Sequence, residues 1–230
     1  NTDATGAITG NWGMSKTSIA IVALSFLLMI SVAARAQEKT ISITITTDLG
    51  IIKAELYPER APITVANFLA NINAGLYQDG HFYRALQKDS GPLGALSLIQ
   101  GGKSLTREAR PAIAHETTKI SGLSHTDGVL SMARSTPGTA SSEFFICVGD
   151  NSGLDYSQSD VQQPGYAAFG RVTEEMDLVR QILSHPVGHR DTDDALVKRA
   201  REEGIEVIIP SLLDHTISMR VDVDDSPNTL

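Results

Sequence analysis

One cysteine, one tryptophan and no unbroken apolar run of membrane-spanning length narrow the chemistry of this 230-residue chain before any motif is read. Cys147 has no partner, so an intramolecular disulfide is impossible. It lies in Phe144-Phe145-Ile146-Cys147-Val148 and reads as a small buried apolar residue, because a catalytic thiol needs a base and electropositive surroundings. Basic residues are also scarce: 19 Lys and Arg against 27 Asp and Glu leave a formal charge of -8, a poor match for phosphate backbones or anionic lipid, so no nucleic-acid partner is expected. No G-x-S-x-G element is present. Gly149-Asp150-Asn151-Ser152-Gly153 has the outline of a serine-nucleophile loop, but Asn151 breaks the order and no histidine or disulfide signal supports it. His185 and His189 have the spacing of a helical zinc pair, yet Pro186 and Gly188 between them oppose a helix. Neither metal nor cofactor is expected.

What is there begins with a leader. From Met14 the chain has Lys16, an apolar run from Ile19 to Val32, and Ala34-Arg35-Ala36 before Gln37. A basic start, a short apolar stretch and a small-x-small site describe a secretory signal peptide, and the run falls short of the ~20 apolar residues a span needs. Residues 14–36 are therefore expected to be cleaved after Ala36, leaving no stable membrane insertion. Residues 1–13 read as an upstream extension, and Trp12 lies there, so the mature chain lacks tryptophan.

Beyond the leader, 41% hydrophobic and 20% charged residues suit one globular domain, taken as residues 37–221 with an acidic, disordered tail at 222–230. Thr40 to Thr46 alternates Ile with Ser and Thr, the period-two pattern of a strand with one dry face. A turn at Asp48-Leu49-Gly50 returns the chain as a second strand, Ile51 to Tyr57. Ala61-Pro62 opens a helix carrying Val65, Phe68, Leu69 and Ile72 on one face, with Gly75 as its stop. His81 to Leu86 reads as a strand, and Gln87 to Leu96, holding Gly91, Pro92 and Gly94, as a surface loop. Ala112 to Ser124 is a long excursion without periodic cues, and Asp150 to Gly165 another loop. A strand over Phe169 to Val172, helices over Glu174 to Leu183 and Asp193 to Glu203, and a strand over His215 to Val221 complete the reading. Many short strands and few helices fit an all-β fold, but the pattern does not separate a barrel from a sandwich.

The most informative stretch runs from Gly128 to Gly149. Two apolar segments, Val129 to Ala133 and Phe144 to Val148, flank a loop of small and polar residues containing Pro137 and Gly138, which reads as two buried neighbouring strands. Phe144 and Phe145, adjacent on a strand, must point to opposite faces, so one fills the interior while the other lines a surface.

Those segments, together with Phe82-Tyr83-Arg84, Gln100-Gly101-Gly102 and Tyr166-Ala167-Ala168-Phe169-Gly170, resemble in unbroken order the cyclophilin-type peptidyl-prolyl isomerases, especially exported bacterial forms. The resemblance implies a closed eight-stranded antiparallel barrel with helices capping its ends. It implies catalysis of cis-trans rotation about X-Pro bonds of exported polypeptides, by a monomer in the periplasm or cell envelope, with a proline-binding module of little turnover as the alternative.

By that resemblance Arg84 is the catalytic donor and Phe145 the floor of the proline pocket, with Leu98 and Leu154 as its walls. Gln100 matches the residue that holds Arg84 and the substrate carbonyl, and the backbone of Ala133, Arg134 and Ser135 matches the edge along which the substrate lies. Glu143 stands where the family has glutamine and is expected to pair with Arg84 or Arg134. Tyr166 stands in place of a histidine, Gly153 in place of a tryptophan, and Ser97 near an expected aromatic, which together widen the pocket. The segments 87–96 and 193–203 have no counterpart, and the first is expected to overhang the groove.

Overall fold

The computed structural model describes residues 38–87, 96–104, 106–159, 164–188, 202 and 209–224. The alternation at its start forms a hairpin: β1 (Ile41–Thr47) and β2 (Gly50–Leu56) pair antiparallel, with Ile43, Ile45, Ile52, Ala54 and Leu56 turned to the interior. The polar partners of that alternation stay at the surface, which fixes the register because a one-residue slip of β1 would turn Ile43 and Ile45 outward. Thr47 ties the turn, its Oγ1 accepting from the backbone N–H of Leu49 and Gly50 at 3.2 Å each.

The remaining strands are β3 (Gly80–Leu86), β4 (Leu98–Gly102), β5 (Val129–Met132), β6 (Phe144–Cys147), β7 (Ala167–Glu174), β8 (Val187–Gly188) and β9 (Ile209–Val223). They follow the order β1-β2-β7-β5-β6-β4-β3-β9, all antiparallel, and β9 returns to β1 to close an eight-stranded barrel. The two-residue β8 adds only to β9. Closure leaves no free edge among the eight, the main liability of an isolated sheet.

Phe68, Tyr77, Phe82, Phe144 and Phe169 fill the barrel, with ring centroids as close as 5.0 Å between Phe68 and Phe169. Phe68 reaches in from α1 (Pro62–Asn73), whose first turn is closed by Glu116 from the long excursion. Its carboxylate accepts from the N–H of Ile63 at 3.1 Å and of Thr64 at 2.7 Å, and from Thr64 Oγ1 at 2.7 Å. A buried carboxylate here satisfies two orphan N–H groups and complements the helix dipole. The excursion also contains a short helix, α2 (Thr118–Ser121), that its sequence did not announce.

Some boundaries differ from the sequence reading. The strand expected at Phe169–Val172 extends to Glu174, so the following helix, α3 (Met176–Leu183), starts two residues later than expected. Glu175 between them sits at φ 67, a left-handed corner that a helix through Glu174 could not contain. The closing strand runs past Val221 to Val223, and Asp222 pairs with Thr44 rather than joining a tail. Asp224 reaches Thr44 and the Lys53 ammonium, the latter at 3.3 Å. After Leu183 the chain leaves the helix, so His185 is not on one. The leader at 14–36, the 88–95 part of the inserted loop and, apart from Glu202, the helix expected at 193–203 lie outside the described residues, as does the tail beyond 224. No helix among the described residues is long and apolar enough to cross a membrane.

Candidate active site

The site begins with a break in alternation. Along β3 the side chains of Phe82 and Ala85 are both buried in the barrel, which a regular strand cannot do at a spacing of three. The register with β4 shows why: Phe82 faces Gly101 and Arg84 faces Gln100, so Tyr83 is an extra residue, a β-bulge. The bulge leaves Tyr83 and Arg84 half-buried while Phe82 and Ala85 remain inside.

From Arg84 one row of directly paired residues crosses the outside of the barrel. Arg84 pairs with Gln100, Gln100 with Phe145, Phe145 with Ser131 and Ser131 with Ala168, on β3, β4, β6, β5 and β7 in turn. The inner row beside it, Phe82, Gly101, Phe144, Met132 and Ala167, belongs to the barrel core. Phe144 therefore fills the interior and Phe145 lines the groove, in a separate apolar cluster with Leu98, Val129, Leu154 and Ala168.

Above this row opens a cavity of about 310 Å³, lined by Arg84, Leu98, Gln100, Ala133, Arg134, Ser135, Glu143, Phe145, Leu154 and Tyr166, all ten residues singled out from the sequence. Leu86, Leu96, Thr139 and Ser141 complete it. Leu86 was within reach of sequence reasoning, two positions beyond Arg84 on one strand. Leu96 brings the end of the inserted segment to the wall; Asn151 fixes it there by gripping the Ser97 backbone, accepting from its N–H at 2.8 Å and donating to its carbonyl at 2.9 Å. Thr139 and Ser141 come from the small-residue loop, where Thr139 Oγ1 accepts from the N–H of Thr136 and donates to its carbonyl.

Arg84 Nη1 donates to Gln100 Oε1 at 3.3 Å, and Gln100 Nε2 donates to the Tyr83 hydroxyl at 2.7 Å. Arg84 sets the orientation of the amide, since a guanidinium can only donate. Arg84 Nε is buried without a partner. The expected pairing of Glu143 with an arginine is not formed. Its carboxylate faces the Tyr83 hydroxyl and the Lys103 backbone N–H, and burial pushes its pKa up. It packs over Gly102, where an added Cβ would meet Glu143 Oε2 at 2.1 Å, so the glycine makes room for the acid.

On the other wall the Arg134 guanidinium lies 4.5 Å over the Tyr166 ring and donates from Nη2 to the Gly165 carbonyl at 2.6 Å. Tyr166 meets Phe145 edge-on at 5.5 Å. Gly153 opens onto empty space, with nothing within 4 Å of an added Cβ.

Sequence reasoning missed His125. Its ring stacks on Phe145 at 5.9 Å and an interplanar angle of 19°, its Nδ1 is 2.6 Å from Asp155 Oδ1, and its Nε2 is 2.9 Å from Ser131 Oγ. The carboxylate can only accept, so Nδ1 carries the proton and Ser131 donates to Nε2. The atoms are those of a nucleophile triad, but Ser131 and His125 are fully buried and neither lines the cavity. The trio instead braces the underside of Phe145 and, through Asp155, the turn that presents Leu154. Burial, opposed by Asp155, lowers the His125 pKa, which keeps the imidazole neutral. Cys147 is fully buried and burial raises its thiol pKa, in keeping with a packing role.

A closed antiparallel barrel whose outer face holds an arginine beside an apolar notch defines a class of proline-handling domains. The family model described as Cyclophilin type peptidyl-prolyl cis-trans isomerase/CLD matches residues 42–202, and the chain belongs to that family. It is 38% identical over 143 residues to a peptidyl-prolyl cis-trans isomerase of Acinetobacter baylyi, covering 61% of this chain and 70% of the relative. It is 33% identical over 183 residues to peptidyl-prolyl cis-trans isomerase A of Dickeya dadantii, covering 76% and 90%. Among solved structures, a cyclophilin type peptidyl-prolyl cis-trans isomerase of Cryptosporidium parvum aligns with a TM-score of 0.52 at 20% identity, over 82% of this chain and all of that one, a likeness of fold.

Proposed function

We propose that this protein catalyses cis-trans rotation about X-Pro bonds in exported polypeptides and so assists their folding. The observation that carries the reading is the single row in which Arg84, steadied by Gln100, stands beside Phe145 at one cavity.

Rotation is slow because resonance gives the amide partial double-bond character, a barrier of roughly 18–20 kcal/mol. Catalysis requires neither nucleophile nor metal, only tighter binding of the twisted amide than of either planar form. As the bond turns, the proline nitrogen becomes pyramidal and its lone pair is freed to accept. Arg84 supplies a donor that stays protonated, and a charge-assisted hydrogen bond of about 1.5–3 kcal/mol corresponds to roughly one to two decades of rate. Phe145, Leu98 and Leu154 hold the ring in an apolar notch, while the backbone of Ala133 to Ser135 offers an edge that reads main chain rather than side chains.

A binding module with little turnover would use the same groove. Exchange spectroscopy on a proline peptide with the wild type and Arg84→Ala separates the two. Isomerisation expects kcat/KM to fall about 10- to 100-fold in the variant, in keeping with the loss of one charged donor. Equal rates in the two proteins with retained peptide binding would favour the module.

The leader supports export to the periplasm or cell envelope; the reading takes the protein as a monomer, and the rotation it catalyses calls for no metal or cofactor. N-terminal sequencing of the protein recovered from the cell envelope should find Gln37 first, and a retained Met14 would contradict cleavage.

A further inference from the structure

The walls of the groove are charged against the character of the rest of the molecule. The chain is acidic, at a formal -8, yet two of the three ionisable-at-neutral side chains that line the cavity are arginines, Arg84 and Arg134. Among the described residues neither guanidinium has a carboxylate within 4.0 Å. The third charged group, Glu143, is turned to the Tyr83 hydroxyl and the Lys103 N–H and forms no ion pair with either arginine.

Arg134 is held as a fixed cation. It lies over the Tyr166 ring, spends one N–H on the Gly165 carbonyl, and has Nε and Nη1 buried without hydrogen-bond partners among the described residues, so its charge is held in place and is not neutralised by a carboxylate. Tyr166 in turn stands edge-on to Phe145, so the guanidinium sits on the rim of the notch that receives the proline ring. His115 lies near enough to feel its charge, and that repulsion adds to burial in keeping the imidazole neutral, so it adds no compensating or competing charge. A substrate segment following the Ala133 to Ser135 edge would bring a side chain next to its proline near this cation, since all three residues line the same cavity as Phe145.

We propose that Arg134 is a specificity-determining residue that selects proline segments carrying a carboxylate, Asp or Glu, beside the proline. This rests on the isomerase reading above. The effect would be a through-space attraction between a fixed guanidinium charge at the rim and a carboxylate of the substrate, partly screened because the groove is open to water.

The test is exchange spectroscopy on N-acetylated, C-amidated tetrapeptides with Glu or Gln placed before the proline, and a second pair with Glu or Gln after it. For at least one pair, kcat/KM for the Glu peptide should exceed that for the Gln peptide roughly three- to tenfold at low salt, the range of a partly exposed charged contact. Raising salt from about 0.05 M to about 0.5 M should shrink that ratio in the wild type, and Arg134→Gln should bring it close to unity. A ratio of one for both pairs in the wild type, or a ratio that survives both salt and Arg134→Gln, overturns the inference. If the Gln peptides are turned over normally in that case, the isomerase reading stands. Absence of turnover on every peptide overturns both.

Discussion

Phe144 and Phe145 are chain neighbours with nearly equal burial, 0% and 3%, and opposite tasks. Phe144 packs edge-on to Phe68, Tyr77 and Phe82 inside the barrel. Phe145 lies outside, between His125 beneath it and the cavity above. The comparison extends to whole rows: the inner one is aromatic and aliphatic with a glycine for clearance, the outer one alternates a cation, an amide, a ring and a hydroxyl. Burial alone does not separate core from site. What separates them is which face of the strand a residue occupies, and at β3 that is decided by one inserted residue.

The largest contrast should come from truncating the two rings. Phe144→Ala should cost about 3–5 kcal/mol in urea unfolding, the range for an aromatic lost from a packed core. Phe145→Ala should cost less stability, since one of its faces already meets a cavity, while lowering kcat/KM more than ten times, roughly the 1.4 kcal/mol equivalent of one decade. Equal losses of stability and activity in both variants would erase the distinction between the rows.

A smaller effect should follow from Tyr83→Phe. The hydroxyl accepts from Gln100 Nε2, and its removal frees the amide that steadies Arg84. Activity should fall by about two- to tenfold, the equivalent of one neutral hydrogen bond of roughly 0.5–1.5 kcal/mol, with little change in peptide affinity. Unchanged activity would show that the bulge places Arg84 without help from the Tyr83–Gln100 contact.

The mildest handle is pH. Burial lowers the pKa of His125, and of His115, below the ordinary 6.5, so the unfolded state binds more protons than the native state as pH falls through that value. Stability contributed by the neutral rings is therefore complete above the unfolded pKa and is lost as pH drops, with a slope of at most about 1.4 kcal/mol per unit for one group. Glu143, whose pKa burial raises, acts in the opposite sense, because its native carboxyl takes up a proton before the unfolded one does as pH falls. Unfolding measured from about pH 7 to about pH 5.5 should show declining stability, and His125→Gln should flatten the curve. An identical slope in the variant would place the titration elsewhere.

Local pattern made the first hairpin, α1 and the Phe144–Phe145 divergence legible, because each depends on periodicity within a few residues. The bulge was not. A regular alternation puts Tyr83 and Arg84 on opposite faces, and only the pairing with Gly101 and Gln100 reveals that they share one. His125, Ser131 and Asp155 come from three separate segments, so no local pattern announces their contact. Glu143 was noticed as a departure, but its partners depend on the clearance over Gly102. The site residues that sequence did reveal came through motif likeness, whereas their arrangement is a property of strand register.

The most direct test of the account is a crystal structure of this protein with an Ala-Pro dipeptide. It should show the proline ring in the notch against Phe145 and Leu154, with the Arg84 guanidinium directed at the imide nitrogen. A dipeptide seated elsewhere, or Arg84 turned away from a proline in that notch, would contradict it.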